Sequence, residues 1–430
     1  MKSRAHNHYF LAGFLCLLGF ALHILLSDPL LDALGFTYSG DEGKFYEKIH
    51  PGTLFMFLSL FILLWQKEGF LKQAIHVFKE QKAYSILLLI YVLALIYMTL
   101  KSGPRGMAFI IDAHISAVIC AIVLSYAPVS LCRPALHFFI VAAVINSLIG
   151  IAEAHWQLRI FTFDDDWVVL HEDYFRASAF LGHPLTNAIF TSLALFVSLA
   201  MGYPKIIKAI LIVVFLVALV AFGGRVALAF SVVGLIILGI HTVIIFLSRK
   251  NLKLREIFLL GATLLTLPLM LGGILFIAIN SHMGERIATH LEWERSADTR
   301  LSAFKVFDYM TDEEIMFGAR PERIMDIAYR VNPDVKNADI ENPWLVMFMY
   351  MGALVFPFWL AGISAFIYTL MKGQTLPLQF AVLAYFMIAS TSNSFGHKDA
   401  NFAIMVCVIT CAAQMAKHKI QGADEYRTIK

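Results

Sequence analysis

Charge is scarce in this chain, and no stretch of it is polar enough and long enough to fold in water alone. Only 15% of the 430 residues are charged, 59% are hydrophobic, and the mean hydropathy is +0.72. Soluble globular chains carry about 25% charged residues. Water-soluble enzymes, disordered scaffolds and secreted disulfide modules are therefore excluded together. Lys+Arg exceed Asp+Glu only by 34 to 31, too little for a partner such as a nucleic acid. Cysteine is limited to Cys16, Cys120, Cys132, Cys407 and Cys411, all inside apolar runs or at the end of one, so no external disulfide is expected. Cys407 and Cys411 share a helix face with no His or acid close in sequence, which reads as packing and not as a metal site. Low-complexity tracts are missing too. So is any match between residues 1–200 and 201–400 of the kind that inverted-repeat transporters show.

What the chain does have is apolar runs of spanning length. Twelve lie near 9–26, 50–65, 83–100, 107–126, 135–152, 185–202, 207–222, 226–247, 257–279, 343–370, 377–393 and 401–416. The expected fold is an all-α polytopic transmembrane helix bundle of about 12 spans, with residues 1–430 as a single integral membrane domain. The first run lacks a small-x-small cleavage site and is followed by a polar Ser27-Asp28-Pro29 loop, so it reads as a span. With the N-terminus inside, the short inner loops and tails hold eighteen basic residues and the short outer loops eight. That bias puts both termini in the cytoplasm. Two polar segments then fall outside: a short loop, 153–184, and a long one, 280–342, between spans nine and ten. The long loop carries 13 acidic and 8 basic residues, and Leu301, Phe304 and Phe307 recur at helical spacing within Asp298–Met310.

Several external residues are chemically notable. Gly223-Gly224-Arg225 joins spans seven and eight almost without a loop, which holds Arg225 at the membrane surface. A guanidinium there suits phosphate oxygens, and it equally suits a snorkelling helix end. Arg176 precedes span six and Arg300 opens the helical part of the long loop. His183-Pro184 starts span six, where the histidine reads as a cap or a titratable group. Glu341 ends the long loop before Asn342, Pro343 and Trp344; it can serve the helix dipole or act as a base. Asp112 and His114, two apart in span four, cannot share a helix face, and His114 is expected to pack between helices. The Asp164-Asp165-Asp166 run reads as solvated loop, and no metal is expected. Trp156, Trp167, Trp293 and Trp344 are candidates for stacking on sugars or for an interfacial belt.

The order of these residues resembles the O-antigen ligase and polysaccharide polymerase superfamily of bacterial inner-membrane glycosyltransferases. An Arg-x-x-Gly-x-Phe-x-(His/Asn)-Pro-Asn stretch leading into a span is matched by Arg176-Ala-Ser-Ala179-Phe180-Leu-Gly-His183-Pro184-Leu-Thr-Asn187. A Ser-Arg-Gly-like turn two spans later is matched by Gly224-Arg225-Val226. The long loop follows with Arg300 to Met310 and the turn Phe317-Gly318-Ala319-Arg320-Pro321. A closing His-Asn-x-x-Leu motif is matched by Glu341-Asn342-Pro343-Trp344-Leu345, with Gly352 in the next span. The likeness covers roughly 170–360. Among the departures, Glu341 stands for the histidine, Ala179 for the glycine of the first motif, and Arg320 for the second glycine of a Gly-x-Gly turn.

The resemblance implies a multi-pass protein of the bacterial inner membrane with periplasmic loops at 153–184 and 280–342. It implies transfer or polymerisation of glycan from an undecaprenyl-diphosphate-linked donor onto an acceptor glycan or lipid, in O-antigen, capsule or exopolysaccharide synthesis. Membrane lipids, and possible assembly proteins of the same route, are the other expected partners. No cofactor is implied. Arg225 and Arg300 are assigned to the diphosphate leaving group, Glu341 to the base with His183 in reserve, and Arg176, Asn342, Arg320 and Trp344 to substrate binding. Two other functions compete: a flippase or transporter for a lipid-linked glycan or other anion, and a non-catalytic partner in an export complex.

Overall fold

The computed structural model describes residues 2–38, 45–65, 69–103, 107–160, 175–248, 254–281, 302–331, 340, 342–391 and 400–428. Among them every regular element is helical. The described parts of the twelve apolar runs are mostly helical. Five helices, Asn7–Leu25, Lys82–Lys101, Val129–Trp156, Arg225–Leu247 and Pro343–Met371, are long and apolar enough to cross a membrane. Large side chains such as Ile236, Ile240 and Ile244 stay uncovered along the fourth of these, as a lipid-facing surface requires. This is the architecture of an integral membrane protein. Arg300, Glu341, Asp164 to Asp166, Trp167 and Trp293 lie outside the described residues.

The helices form two compact units. The first comprises Met1–Phe139, Arg295–Gln374 and Ala389–Lys430. It contains α1 (Lys2–Leu25), α2 (Asp28–Ala33), α3 (Pro51–Leu64), α4 (Phe70–Glu80), α5 (Lys82–Ser102), a π-helical turn (Ile110–Ile115) running into α6 (Ser116–Leu124), and the start of α7 (Val129–Trp156). The second comprises Ile140–Glu294 and Thr375–Ile388. It takes the rest of α7, with α8 (Pro184–Ala200), α9 (Lys205–Ala221), α10 (Arg225–Leu247) and α11 (Leu254–Asn280). The first unit is completed by α12 (Val306–Tyr309), α13 (Asp312–Phe317), α14 (Pro321–Val331), α15 (Pro343–Met371) and α17 (Asn401–Thr428); α16 (Leu376–Ala389) belongs almost entirely to the second.

In the first unit α12 to α14 build a small cap on the start of α15, around Val306, Ile324, Ile327, Ile340 and Met349. The expected helix over Asp298–Met310 is shorter than its periodicity suggests: a 3₁₀ turn, Ala303–Lys305, passes into the single turn of α12. A 3₁₀ turn advances about 120° per residue and not 100°, so the buried face shifts. Ala303, Val306 and Met310 point inward, whereas Phe304 and Phe307 are 56% and 40% exposed.

The cap locks onto an interruption in α15. Gly352 breaks that helix with φ 67°, and Gly318 of the cap, at φ 80°, sits against the break. A β-carbon on Gly318 would lie 2.3 Å from the Tyr350 carbonyl oxygen, and one on Gly352 would lie 2.3 Å from the Gly318 nitrogen. Only two glycines allow this backbone contact. The Ala319 N–H donates to the Met349 carbonyl at 2.6 Å, a carbonyl left open by the interruption.

Candidate functional site

Three of the expected site residues come together at one end of the second unit. The segment Phe175–His183 folds against the turn Phe222–Arg225. The Arg176 Nε donates to the Phe222 carbonyl at 3.3 Å, and the Ala177 N–H donates to Ala221 at 3.2 Å. Arg176 is buried, at 7% exposure. Arg225, half-buried, is the first residue of α10, three positions beyond the carbonyl that Arg176 holds. The turn packs tightly because a β-carbon on Gly224 would meet that of Ala188 at 2.7 Å. His183 occupies the N-cap position of α8 without making a side-chain cap, and desolvation, followed by the nearby Arg176 charge, pushes its imidazole down to about 4.

A buried polar network that the sequence reading missed shapes this loop. Glu153, fully buried on α7, accepts the N–H of Ser178 at 2.9 Å and of Ala179 at 2.8 Å on one oxygen. Its other oxygen accepts the N–H of Ile160 at 2.9 Å. Asn146, about two turns earlier, donates to the Asn187 side-chain oxygen at 2.7 Å and accepts the Phe180 N–H at 3.3 Å. Asn187 returns its amide hydrogens to the carbonyls of Ser178 and His183. Asn187 thus ties the start of α8 to the loop before it, without capping the helix N–H groups. With these bonds in place the chain bends at Ala179, whose φ is +40°. That conformation costs an alanine about 1–2 kcal/mol.

The first unit holds the remaining candidates. Arg320 is exposed and its carbonyl accepts the Ile324 N–H, so its backbone starts α14. The Gly318–Arg320 turn is clamped from α5: Lys101 Nζ donates to the carbonyls of Phe317, at 2.7 Å, and Gly318, and the Tyr97 hydroxyl donates to Phe317 at 2.6 Å. Asn342 caps α15, its side-chain oxygen accepting the Leu345 N–H at 3.1 Å. The Trp344 indole donates to Ser390 Oγ at 2.8 Å, and its ring lies 5.7 Å from Trp359. Asn342 and Trp344 therefore already have structural work. Trp156, in the second unit, is 66% exposed, as a belt or stacking residue needs.

The cap is further tied by charge. Arg323 bonds Glu314 at 3.0 Å and Asp326 at 2.5 Å, and donates to the Tyr309 carbonyl. Thr311 and Glu314 cap α13 reciprocally. Burial alone would raise the Glu314 carboxyl, but the Thr311 N–H and the Arg323 guanidinium outweigh it and hold the group below the ordinary carboxylate value.

A second polar cluster lies inside the first unit, around the π-helical turn. Asp112 accepts the Tyr38 hydroxyl at 2.8 Å and the His50 N–H at 3.0 Å. The His50 ring accepts from Gly52, contacts the Leu26 carbonyl at 2.8 Å and stacks on His23 at 4.1 Å. His114 turns the other way, with Tyr91, Phe109, Trp359 and Phe402 around it. It packs between helices, as its position in sequence suggests.

Chemically, the packing of the Phe175–His183 loop on the Phe222–Arg225 turn sets two arginine positions on neighbouring backbone segments held by buried hydrogen bonds, and cationic groups so placed suit an anion. Among the described residues no group of three His, Cys, Asp or Glu side chains is arranged to hold a metal ion. Compared with protein-family models and with curated proteins, the chain matches none.

Proposed function

We propose that this chain is a twelve-span glycosyltransferase of the O-antigen ligase and polymerase type, in the bacterial inner membrane with both termini cytoplasmic. Its donor is a glycan on undecaprenyl diphosphate, and its acceptor is a glycan or lipid hydroxyl at the periplasmic face. The observation that carries this reading is the meeting of Arg176 with the Phe222–Arg225 turn. Two arginines far apart in sequence thus stand on backbone segments that this contact joins. The motif also has a backbone logic. Positions 179, 318 and 352, where the resembling family carries glycine or this chain does, all adopt positive φ.

In the transfer, the anomeric carbon is attacked by the acceptor hydroxyl and the C–O bond to the lipid diphosphate breaks. Charge accumulates on the leaving oxygens, and cationic donors held in place before the reaction stabilise it without reorganisation. Arg225 and Arg176 fill that role, and the resemblance assigns Arg300 to the same leaving group. The acceptor proton passes to Glu341, or to His183 if Glu341 only serves the helix end. The resemblance assigns Arg320 and Trp344 to binding of the glycan. The test is incubation of purified protein with lipid-linked glycan, with and without acceptor, followed by product sizing. Longer glycan without added acceptor identifies a polymerase, transfer only to added acceptor a ligase, and unchanged donor in both arms rejects the reading.

A flippase or transporter is the second reading. It is favoured by the interrupted α15 and by the ionisable cluster at Asp112, features that transport proteins place within the membrane. Movement of lipid-linked donor across proteoliposomes with no change in its size would decide for it.

A further inference from the structure

All five cysteines of the chain, drawn from four helices, meet in one buried cluster. Cys16 of α1 lies 3.6 Å from Cys120 of α6, sulfur to sulfur. Cys120 also neighbours Cys407 of α17, Cys407 neighbours Cys411 one turn on, and Cys411 neighbours Cys132 of α7. Each is 0% exposed. A buried cysteine that merely fills space behaves as a small hydrophobe, and Ala, Ser or Val serves as well. Space filling gives no reason for one thiol to sit beside another, still less for the whole cysteine complement to form an unbroken string.

We infer that this string is a binding site for a monovalent thiophilic cation of the Cu(I) or Ag(I) class, held by two sulfurs at a time. The arrangement is selective. Zn(II) in a structural site takes four ligands in a tetrahedron, and here no three candidate ligands converge on a point among the described residues. Adjacent pairs along the string suit ions that accept two soft ligands in line, and thiolate sulfur favours Cu(I) over harder metals. Charge points the same way. One M⁺ entering a pair of thiols displaces one proton, giving M(SR)(HSR) and H⁺ released to water. A metal–sulfur bond forms, an S–H bond breaks, no electrons change hands, and the bound complex is neutral. A dry interior tolerates that species, whereas an isolated thiolate or a divalent ion would leave net charge in it. This site is independent of the glycan chemistry proposed above and needs none of its residues.

The test uses the full chain in lipid nanodiscs, reduced and then freed of reductant, in chloride-free buffer with silver nitrate as the probe. Silver avoids oxidation as a complication. The expected result is at least one retained silver ion per chain, near-ultraviolet thiolate-to-silver absorption, and release of one proton per ion. Bulky maleimide should fail to label the native protein. Cys120→Ala, which removes the thiol linking Cys16 to Cys407, should weaken the first ion at least about tenfold, since loss of outer-shell partners already costs metal sites that much. Replacing all five cysteines with alanine should abolish uptake. Silver uptake equal in wild type and the five-alanine variant would overturn the inference. Should that variant misfold, wild-type protein that retains no silver, or retains it without proton release and thiolate absorption, overturns it unaided.

Discussion

Replacing Glu153 by glutamine keeps the size of the side chain but removes one of its two acceptor oxygens. The carboxylate receives Ser178 and Ala179 on one oxygen and Ile160 on the other. An amide oriented to keep the Ser178 and Ala179 bonds points its NH₂ at the Ile160 N–H, donor against donor. Hydrogen bonds to a charged group are worth about 1.5–3 kcal/mol, against about 0.5–1.5 kcal/mol for neutral pairs. One bond is lost outright and two drop by about 1 kcal/mol each, so the substitution should cost about 3–5 kcal/mol. The damage is local, which makes amide hydrogen exchange the sharpest assay. Exchange at Ser178 and Ala179 should accelerate by about 10²–10³-fold in Glu153→Gln, while amides of α15 stay as in wild type. Glycan transfer should fall with it, because Arg176 sits two residues before the released segment. An exchange change of less than about fivefold, or about 1 kcal/mol, would refute the three-bond account of the loop.

Ala179→Gly should be neutral or stabilising by up to about 1 kcal/mol in detergent unfolding, because relief of positive φ outweighs the added chain entropy; a loss above about 1 kcal/mol would contradict the strain argument. Gly318→Ala should destabilise the cap by about 2–5 kcal/mol, since the new methyl meets the Tyr350 carbonyl at 2.3 Å in a left-handed conformation. Limited proteolysis within α12 to α14 measures it. Acid should loosen the same cap: Glu314 is held below its ordinary value of 4.5, so its contribution is full above that pH and disappears as pH falls through the lowered folded value. Thr311→Ala should remove about 1 kcal/mol at neutral pH and flatten that acid dependence, a comparison that proteolysis at graded pH makes directly.

Much of the fold was legible because the membrane imposes one long, simple pattern. Runs of apolar residues at spanning length can satisfy their backbone only as helix; the described parts of these runs are mostly helical, and five of the helices are long and apolar enough to span. Shorter features carry less signal: α4 lies between two of the long apolar runs and is too short to span, and the π-helical turn at Ile110–Ile115 leaves no mark in the apolar run. In the site, Arg176, His183 and Arg225 were legible as polar residues where polarity is costly. Glu153 was not: it follows the end of an apolar run by one residue and looks like the first residue of a loop. Its partners are backbone amides 7 to 26 residues away, which no side-chain pattern announces. Lys101, likewise, was counted only toward topology, although it bonds carbonyls 216 and 217 residues on. The convergence of the cysteines is tertiary throughout; spacing revealed only that Cys407 and Cys411 share a face.

The central claim is that the Arg176 and Arg225 guanidinium groups stabilise a diphosphate leaving group. Its most direct measurement is single-turnover transfer from lipid-diphosphate-linked glycan by wild type, Arg225→Ala and Arg225→Lys, with insertion and unfolding checked in parallel. The account predicts a loss of about 10²–10³ in rate for Arg225→Ala at saturating donor, and only partial recovery in Arg225→Lys, because an ammonium cannot reproduce a two-pronged guanidinium contact. A folded Arg225→Ala protein that transfers glycan at the wild-type rate would contradict it and leave Arg225 as a snorkelling helix end.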